Sequence, residues 1–214
     1  MQNVYFISGL GADSRVFQYL DLSFCNPVFI EWLVPERNEK ISEYAVRMKQ
    51  QITDEEPVIV GFSFGGMIAV EIAKQFPVKQ LVLLSSAKTA NEVPYYLKLL
   101  RYLPLHKFVS TSFLKYANST AYRLMGVNTR KDKVLFTQMF RDADDRFISW
   151  AINQIVHWRN DVIPQKIVHI HGTADIMLPF RFIKADHQVK GGEHLMLILN
   201  DQDISGILRK ILQG

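Results

Sequence analysis

A single cysteine, Cys25, has no partner in its own chain, which excludes an internal disulfide framework and any cysteine-rich metal site. One lone thiol fits a reducing compartment. Long hydrophobic runs are missing as well. No stretch approaches the roughly 18 apolar residues of a membrane span. The N-terminal "MQNVYFISGL" has neither the basic region nor the long apolar core of a secretory signal. A cytoplasmic protein without integral membrane association is therefore expected. Runs of like charge are also absent: 25 Lys+Arg against 21 Asp+Glu leave a net charge of only +4, and nothing global calls for nucleic acid. There are no repeats and no low-complexity segments. What is present is a chain of 214 residues, 48% of them apolar, enough for one domain with a real core and room for an insertion.

The first half alternates in period. Val4–Ser8, "PVFIEW", "PVIVGF" and "KQLVLLSS" are short, nearly continuous apolar runs. Between them lie helix-like stretches: "SRVFQYL", then Ile41, Tyr44, Ala45, Met48 and Ile52 at helical spacing, then "MIAVEIAKQF", which is apolar nearly all round. Apolar strands alternating with helices predict a parallel sheet covered on both faces. From about Lys88 to Asn160 the strand pattern stops, and "YYLKLLRYL", "FLKYA", "VLFTQMF" and "FISWAINQIVHW" recur at helical spacing. Strands return with "KIVHIHG" and "ADHQVK". "DISGILRKIL" reads as a last amphipathic helix that Asp201 or Asp203 is placed to cap. The chain thus divides into a core of residues 1–87 and 161–214 and a helical insertion of residues 88–160. The insertion holds 12 Lys+Arg and 5 Asp+Glu, a net of 12 − 5 = +7, and 12 of the 25 aromatics. Such a unit reads first as a small helical subdomain with a solvated basic face. It reads also as a lid whose aromatics line a pocket and whose charge favours anionic or amphiphilic ligands.

At the junction of the third run and its helix stands "GFSFGG", residues 61–66. Gly61 and Gly65 flank Ser63 at the spacing of a nucleophile elbow, where a serine in a sharp, strained turn needs neighbours without side chains. Gly66 would let the helix approach the sheet. With 11 glycines in the chain, chance supplies such a pattern in about 3% of shuffled sequences, so the strand before it and the helix after it carry the weight. A serine needs a base, and the base an orienting carboxylate, in the order Ser, then Asp or Glu, then His. "KIVHIHGTAD" ends a strand in a turn carrying Asp175, and "VKGGEHLM" places His194 on a loop after the last strand. Both lie C-terminal to parallel strands, on the edge of Ser63. His169 alternates within its strand as a satisfied core or face residue, His171 reads as structural, His106 and His157 fall in the insertion, and His187 sits within the last strand. Asp161 and Asp186 precede their strands, at the wrong edge. For the developing oxyanion, the amide after the nucleophile, Phe64, and one from the glycine-rich loop after the first strand, Leu10, are the candidate donors.

Taken together, "SGLGAD", "GFSFGG", "HGTAD" and "GGEHL" resemble the α/β-hydrolase superfamily across nearly the whole chain. The resemblance implies an α/β fold with a minimal parallel six-stranded sheet of order 2-1-3-4-5-6, flanked by helices, and a helical cap inserted after strand 4 over the active site. The oxyanion loop and the elbow then flank the switch between strands 1 and 3. Where family members usually begin with an antiparallel pair of strands, the resemblance here starts directly at the oxyanion strand, and Ser8 stands where many relatives have a histidine. Glu193, beside the base, is expected to point to solvent. The implied activity is that of a serine hydrolase: Ser63 attacks a carboxylic ester or thioester, His194 relays the proton, Asp175 orients the imidazole, and no cofactor or metal is called for. A serine at position 63 argues against the dehalogenase and epoxide-hydrolase branches. The same parts would serve a lyase or C–C hydrolase, or a receptor that keeps the triad but hardly turns over. The expected partner is a small acyl ester, amphiphilic or anionic.

Overall fold

The computed structural model describes residues 1–99, 101–102 and 119–213. Strands β1 (Asn3–Ile7), β2 (Asn26–Ile30), β3 (Val58–Phe62), β4 (Gln80–Leu84), β5 (Ile167–Gly172) and β6 (His187–Val189) form one sheet in the order β2-β1-β3-β4-β5-β6. Every neighbouring pair is parallel. Strand number, direction and order are those expected from the sequence. The near-continuous apolar runs are explained by the two cores they divide. Val4 and Phe6 of β1 face one cluster with Val58, Val60 and Leu84. Tyr5 and Ile7 face the other with Ile59, Leu81 and Leu83. With both faces covered, neither half of the pleat has reason to be polar.

Helices α1 (Ile41–Lys49) and α2 (Phe64–Ala73) cover the second face. All of α2 from Phe64 to Ile72 is buried, including Glu71. That carboxylate accepts from Lys74 Nζ at 3.0 Å and from Trp158 Nε1 at 2.8 Å, the pairing a buried charge requires. The first face is closed near the C-terminus by two helices, Met196–Leu199 and Asp201–Gln213. The latter begins earlier than "DISGILRKIL" suggests, so Asp201 and Asp203 lie within its first turn, where carboxylates suit the helix dipole. "SRVFQYL" forms only a four-residue 3-10 helix, Ser14–Phe17. Asp13 starts it by accepting from the Arg15 amide, and the chain must be back at the sheet by Asn26. Ile52 lies past the end of α1 but is still buried.

Within the insertion, the described helices are α3 (Tyr95–Leu99), α4 (Ser119–Met125), α5 (Arg130–Asp142) and α6 (Asp145–His157). "FLKYA", His106 and part of "YYLKLLRYL" lie outside the described residues. Thr129 caps α5 by accepting from the Asp132 amide. Asp144 caps α6 by accepting from the amides of Arg146 and Phe147. The insertion joins both cores: Phe136 and Met139 pack on one face of the sheet, Phe147 and Trp158 on the other. At its root, the Asn160 side chain donates to the Lys88 carbonyl at 2.7 Å and the Ala90 amide donates to the Asn160 carbonyl at 2.7 Å. The two chain crossings are thereby held side by side.

Candidate active site

Ser63 sits between the end of β3 and the start of α2 with φ 51° and ψ −120°, a conformation that a residue with a side chain rarely adopts. Packing explains why the turn can be this sharp. A Cβ on Gly65 would stand 2.1 Å from the Ser8 carbonyl oxygen and 2.4 Å from that of Ile7. One on Gly61 would meet the Gly66 Cα at 2.5 Å. The backbone of α2 therefore rests directly on the ends of β1 and β3. Ser86 Oγ donates to the Ser63 carbonyl at 2.7 Å and pins the turn from the side of β4.

Around this serine the sequence-predicted residues converge. Ser63 Oγ is 2.9 Å from His194 Nε2, and His194 Nδ1 is 2.8 Å from Asp175 Oδ2. A carboxylate can only accept, so Nδ1 carries the proton and Nε2 is free to accept from the serine hydroxyl. Asp175 and His194 are buried. Burial pushes the Asp175 carboxyl up, but His194 and the Leu178 N–H favour its charged form, and the net shift is downward. Asp175 is thus an anion at neutral pH.

Leu10 and Phe64 line the same cavity as Ser63 and His194. Phe64 is the first residue of α2, so its amide is among those left without an intrahelical carbonyl. Ser8 closes the loop before Leu10: its hydroxyl donates to the Ala12 carbonyl at 2.8 Å, which also accepts from Trp32 Nε1 at 3.0 Å. The side chain of Phe62 is buried, and its ring packs against the His194 imidazole, centroid to centroid 5.6 Å.

The cavity is about 240 Å³. Met67, Phe62 and Leu178 wall it from the core; Met125, Phe136 and Phe140 close it from the insertion. No lysine, arginine, aspartate or glutamate among the described residues lines it. Two of the insertion's cations are engaged elsewhere: Lys131 Nζ lies over the Tyr19 ring and Lys133 Nζ over that of Tyr122. A neighbouring cavity of about 270 Å³, bordered by Glu31, Trp32 and Asp142, contains neither the serine nor the histidine. Among the described residues no group of three or more His, Cys, Asp or Glu is arranged to hold a metal ion, and no helix is long and apolar enough to cross a membrane.

Two expectations, for Glu193 and His169, need correction. Glu193 does not simply face solvent: its Oε2 is buried, without a hydrogen-bond partner among the described residues, against the α4 turn at Gly126. His169 is buried but not satisfied: neither ring nitrogen meets a partner in hydrogen-bond geometry among the described residues, although the Ser86 backbone is close by. His171 is structural in that it is buried, yet its Nε2 lies 3.4 Å from Asp175 Oδ2. His157 and His187 are exposed, Asp161 is exposed, and Asp186 accepts from the His169 amide at 2.8 Å.

Nothing in the sequence hints that the insertion touches the histidine loop. The Leu195 amide donates to the Met125 carbonyl at 3.1 Å. Gly126 follows at φ +77°, where a Cβ would stand 1.9 Å from Glu193 Oε2 and 2.5 Å from Glu193 Cβ. Gly126→Ala is therefore expected to push the His194 loop, lowering stability by about 1 kcal/mol or more and turnover by about 10-fold or more. Thermal melting and kcat/KM measured on the same preparation check both effects.

No protein-family model and no curated protein matches the chain in sequence. Solved structures do match in shape. An esterase from Exiguobacterium antarcticum superposes with a TM-score of 0.78 at 16% identity, over 100% of this chain and 92% of that one. A Bacillus megaterium epoxide hydrolase gives 0.76 at 11%, over 100% and 94%. The enol-lactonase from Burkholderia xenovorans LB400 gives 0.67 at 13%, over 100% and 92%. Spanning the chain from end to end on a β2-β1-β3-β4-β5-β6 parallel sheet, this likeness shows that the protein has the α/β-hydrolase fold.

Proposed function

We propose that the protein is a serine hydrolase of carboxylic esters, with Ser63 as nucleophile, His194 as general base and acid, and Asp175 as its orienting carboxylate. The observation that carries this is the unbroken path Asp175 Oδ2–His194 Nδ1, 2.8 Å, and His194 Nε2–Ser63 Oγ, 2.9 Å, ending at an apolar cavity. In the reaction Ser63 Oγ attacks the acyl carbon as Nε2 takes its proton. The carbonyl oxygen becomes an oxyanion held by the Leu10 and Phe64 amides. Nε2 then returns the proton to the departing alcohol, leaving an acyl-serine. Water, activated by the same nitrogen, releases the acid and restores the hydroxyl. The similarity to structures described as esterases is in keeping with this reading, and a serine at the elbow separates it from carboxylate-nucleophile chemistry.

The insertion serves as the cap. None of its described charged side chains lines the cavity, so the substrate part that enters is uncharged and apolar, and an amphiphilic ester keeps any charged end outside. The expected result is that a hexanoate ester is hydrolysed at least about 100-fold faster than a half-ester of the six-carbon dicarboxylic acid. An unpaired carboxylate in this cavity would forfeit several kcal/mol of solvation. Equal kcat/KM for the two at low salt would refute the neutral-pocket reading. The nucleophile itself is tested with a fluorophosphonate, which should label Ser63 and no other residue.

A further inference from the structure

The triad reading, on which this inference rests, uses one of two buried imidazoles beside Asp175. His171, the last residue but one of β5, is fully buried, with Nε2 donating to the Leu178 carbonyl at 2.8 Å. A carbonyl only accepts, so the proton is on Nε2, and Nδ1 is left without a partner among the described residues. The Leu178 amide in turn donates to Asp175 Oδ1 at 2.8 Å. A hydrogen-bonded path thus runs from the strand, across the turn, to the carboxylate oxygen that does not face His194. The first part of the turn is tied down separately: the Thr173 amide donates to the Val189 carbonyl and the Ala174 amide to that of Gly192. Leu178 lies beyond those ties, and His171 is the side chain that fixes its peptide.

We infer that His171 is a positioning residue of the reaction: by holding Leu178, it fixes the rotation of the Asp175 carboxylate and so the hydrogen bond from Oδ2 to His194. The Leu178 amide selects Oδ1; the other oxygen is then aimed at Nδ1. At 3.4 Å, His171 Nε2 also lies beside Oδ2, on the flank of the His194 bond. Burial keeps the ring neutral, so it does not draw the Asp175 charge away from His194 as an imidazolium would. His169, two residues earlier and equally buried, provides the internal comparison. Its ring packs edge-on against His171, 5.2 Å between centroids, but no ring nitrogen meets a partner in hydrogen-bond geometry among the described residues. A space-filling imidazole would behave as His169 does.

The test compares His171→Leu, His171→Gln, His171→Asn and His169→Leu in the full-length protein. Three quantities are measured: kcat and KM on a hexanoate ester, the melting temperature, and the downfield Nδ1 proton resonance of His194. A glutamine amide reaches the Leu178 carbonyl from position 171; an asparagine amide is too short. His171→Leu and His171→Asn are expected to lose about 10- to 100-fold in kcat, with the His194 resonance shifted or lost. His171→Gln should keep both. His169→Leu should keep kcat within about threefold, since no hydrogen bond to the Asp175 turn among the described residues depends on its ring. Unchanged kcat and resonance in His171→Leu would overturn the inference, and so would equal losses in His171→Gln and His171→Asn. Should the leucine variant not fold, the glutamine–asparagine pair decides alone. The resonance reports the Asp175–His194 bond without turnover, so it decides the positioning role even if no ester proves to be a substrate.

Discussion

Replacing Ser63 by alanine is expected to cut ester turnover by about a million-fold and to leave the fold in place. The serine hydroxyl bonds to His194 Nε2, and His194 is among the residues that line the cavity. Alanine therefore leaves one nitrogen of a buried imidazole without its partner but disturbs no other bond of the site, and it inherits the same φ of 51°. Ser63→Gly makes the informative companion. It removes the nucleophile equally but relieves the strain that a side chain suffers at positive φ, so it should melt higher than Ser63→Ala by the equivalent of about 1 kcal/mol. Two inactive variants of different stability would show that the elbow stores strain for the sake of the hydroxyl's placement. The remaining rate, about 10³- to 10⁴-fold over water, is what oxyanion donors and binding supply without a nucleophile. A Ser63→Ala protein with full turnover would remove the central functional claim, and one labelled by a fluorophosphonate would move the nucleophile elsewhere.

How far the sequence reaches follows from the range of the interactions involved. The strands were legible because a parallel sheet covered on both faces leaves Val4–Ile7 and Val58–Phe62 no polar alternative. The elbow was legible because its requirements are local: Gly61 and Gly65 answer to backbone atoms within the same strand–turn–helix unit and the neighbouring strand end. Ser63 and His194 are 131 residues apart, yet topology alone brings them to one sheet edge, so order sufficed. What sequence could not show is contact between segments that share no local rule. Glu193 looked like a solvent residue because nothing near it in sequence speaks of Gly126. The partner of His171 was equally hidden, because the Leu178 carbonyl is backbone and leaves no mark on residue type. Net charge likewise does not say which way side chains point: Lys131 and Lys133 of the basic insertion lie over the Tyr19 and Tyr122 rings. Even "SRVFQYL" failed on a long-range term: its helical spacing is real, but the return to β2 ends the helix after Phe17.

Asp175→Asn should lower turnover by about 10⁴-fold, and the reason lies in the Leu178 amide. In the native site Oδ1 accepts from that N–H at 2.8 Å and Oδ2 accepts from His194 Nδ1 at 2.8 Å. Asparagine has one acceptor for two donors. If its oxygen keeps the Leu178 amide, its NH₂ faces Nδ1. The imidazole then responds by moving its proton to Nε2, and the nitrogen that should accept from Ser63 becomes a donor. If the amide flips, NH₂ meets the Leu178 N–H in a buried site, donor against donor, at a cost of about 1–3 kcal/mol. The first arrangement is favoured, so the variant should fold, bind ester and fail at proton abstraction: kcat falls, KM changes little, and fluorophosphonate labelling of Ser63 slows in parallel. The negative charge is also gone, and with it the stabilisation of the imidazolium that forms as Ser63 attacks. Stability should respond to pH in step. The native carboxyl is held below its ordinary value, so its contribution to stability is present above the unfolded pKa and lost as pH falls through the folded one. The Asp175→Asn variant should therefore melt lower than the wild type at neutral pH, and the difference should shrink in acid. Retention of more than about a tenth of the wild-type kcat, set against the 10⁴-fold loss expected for a wrong tautomer, would mean that another group orients His194.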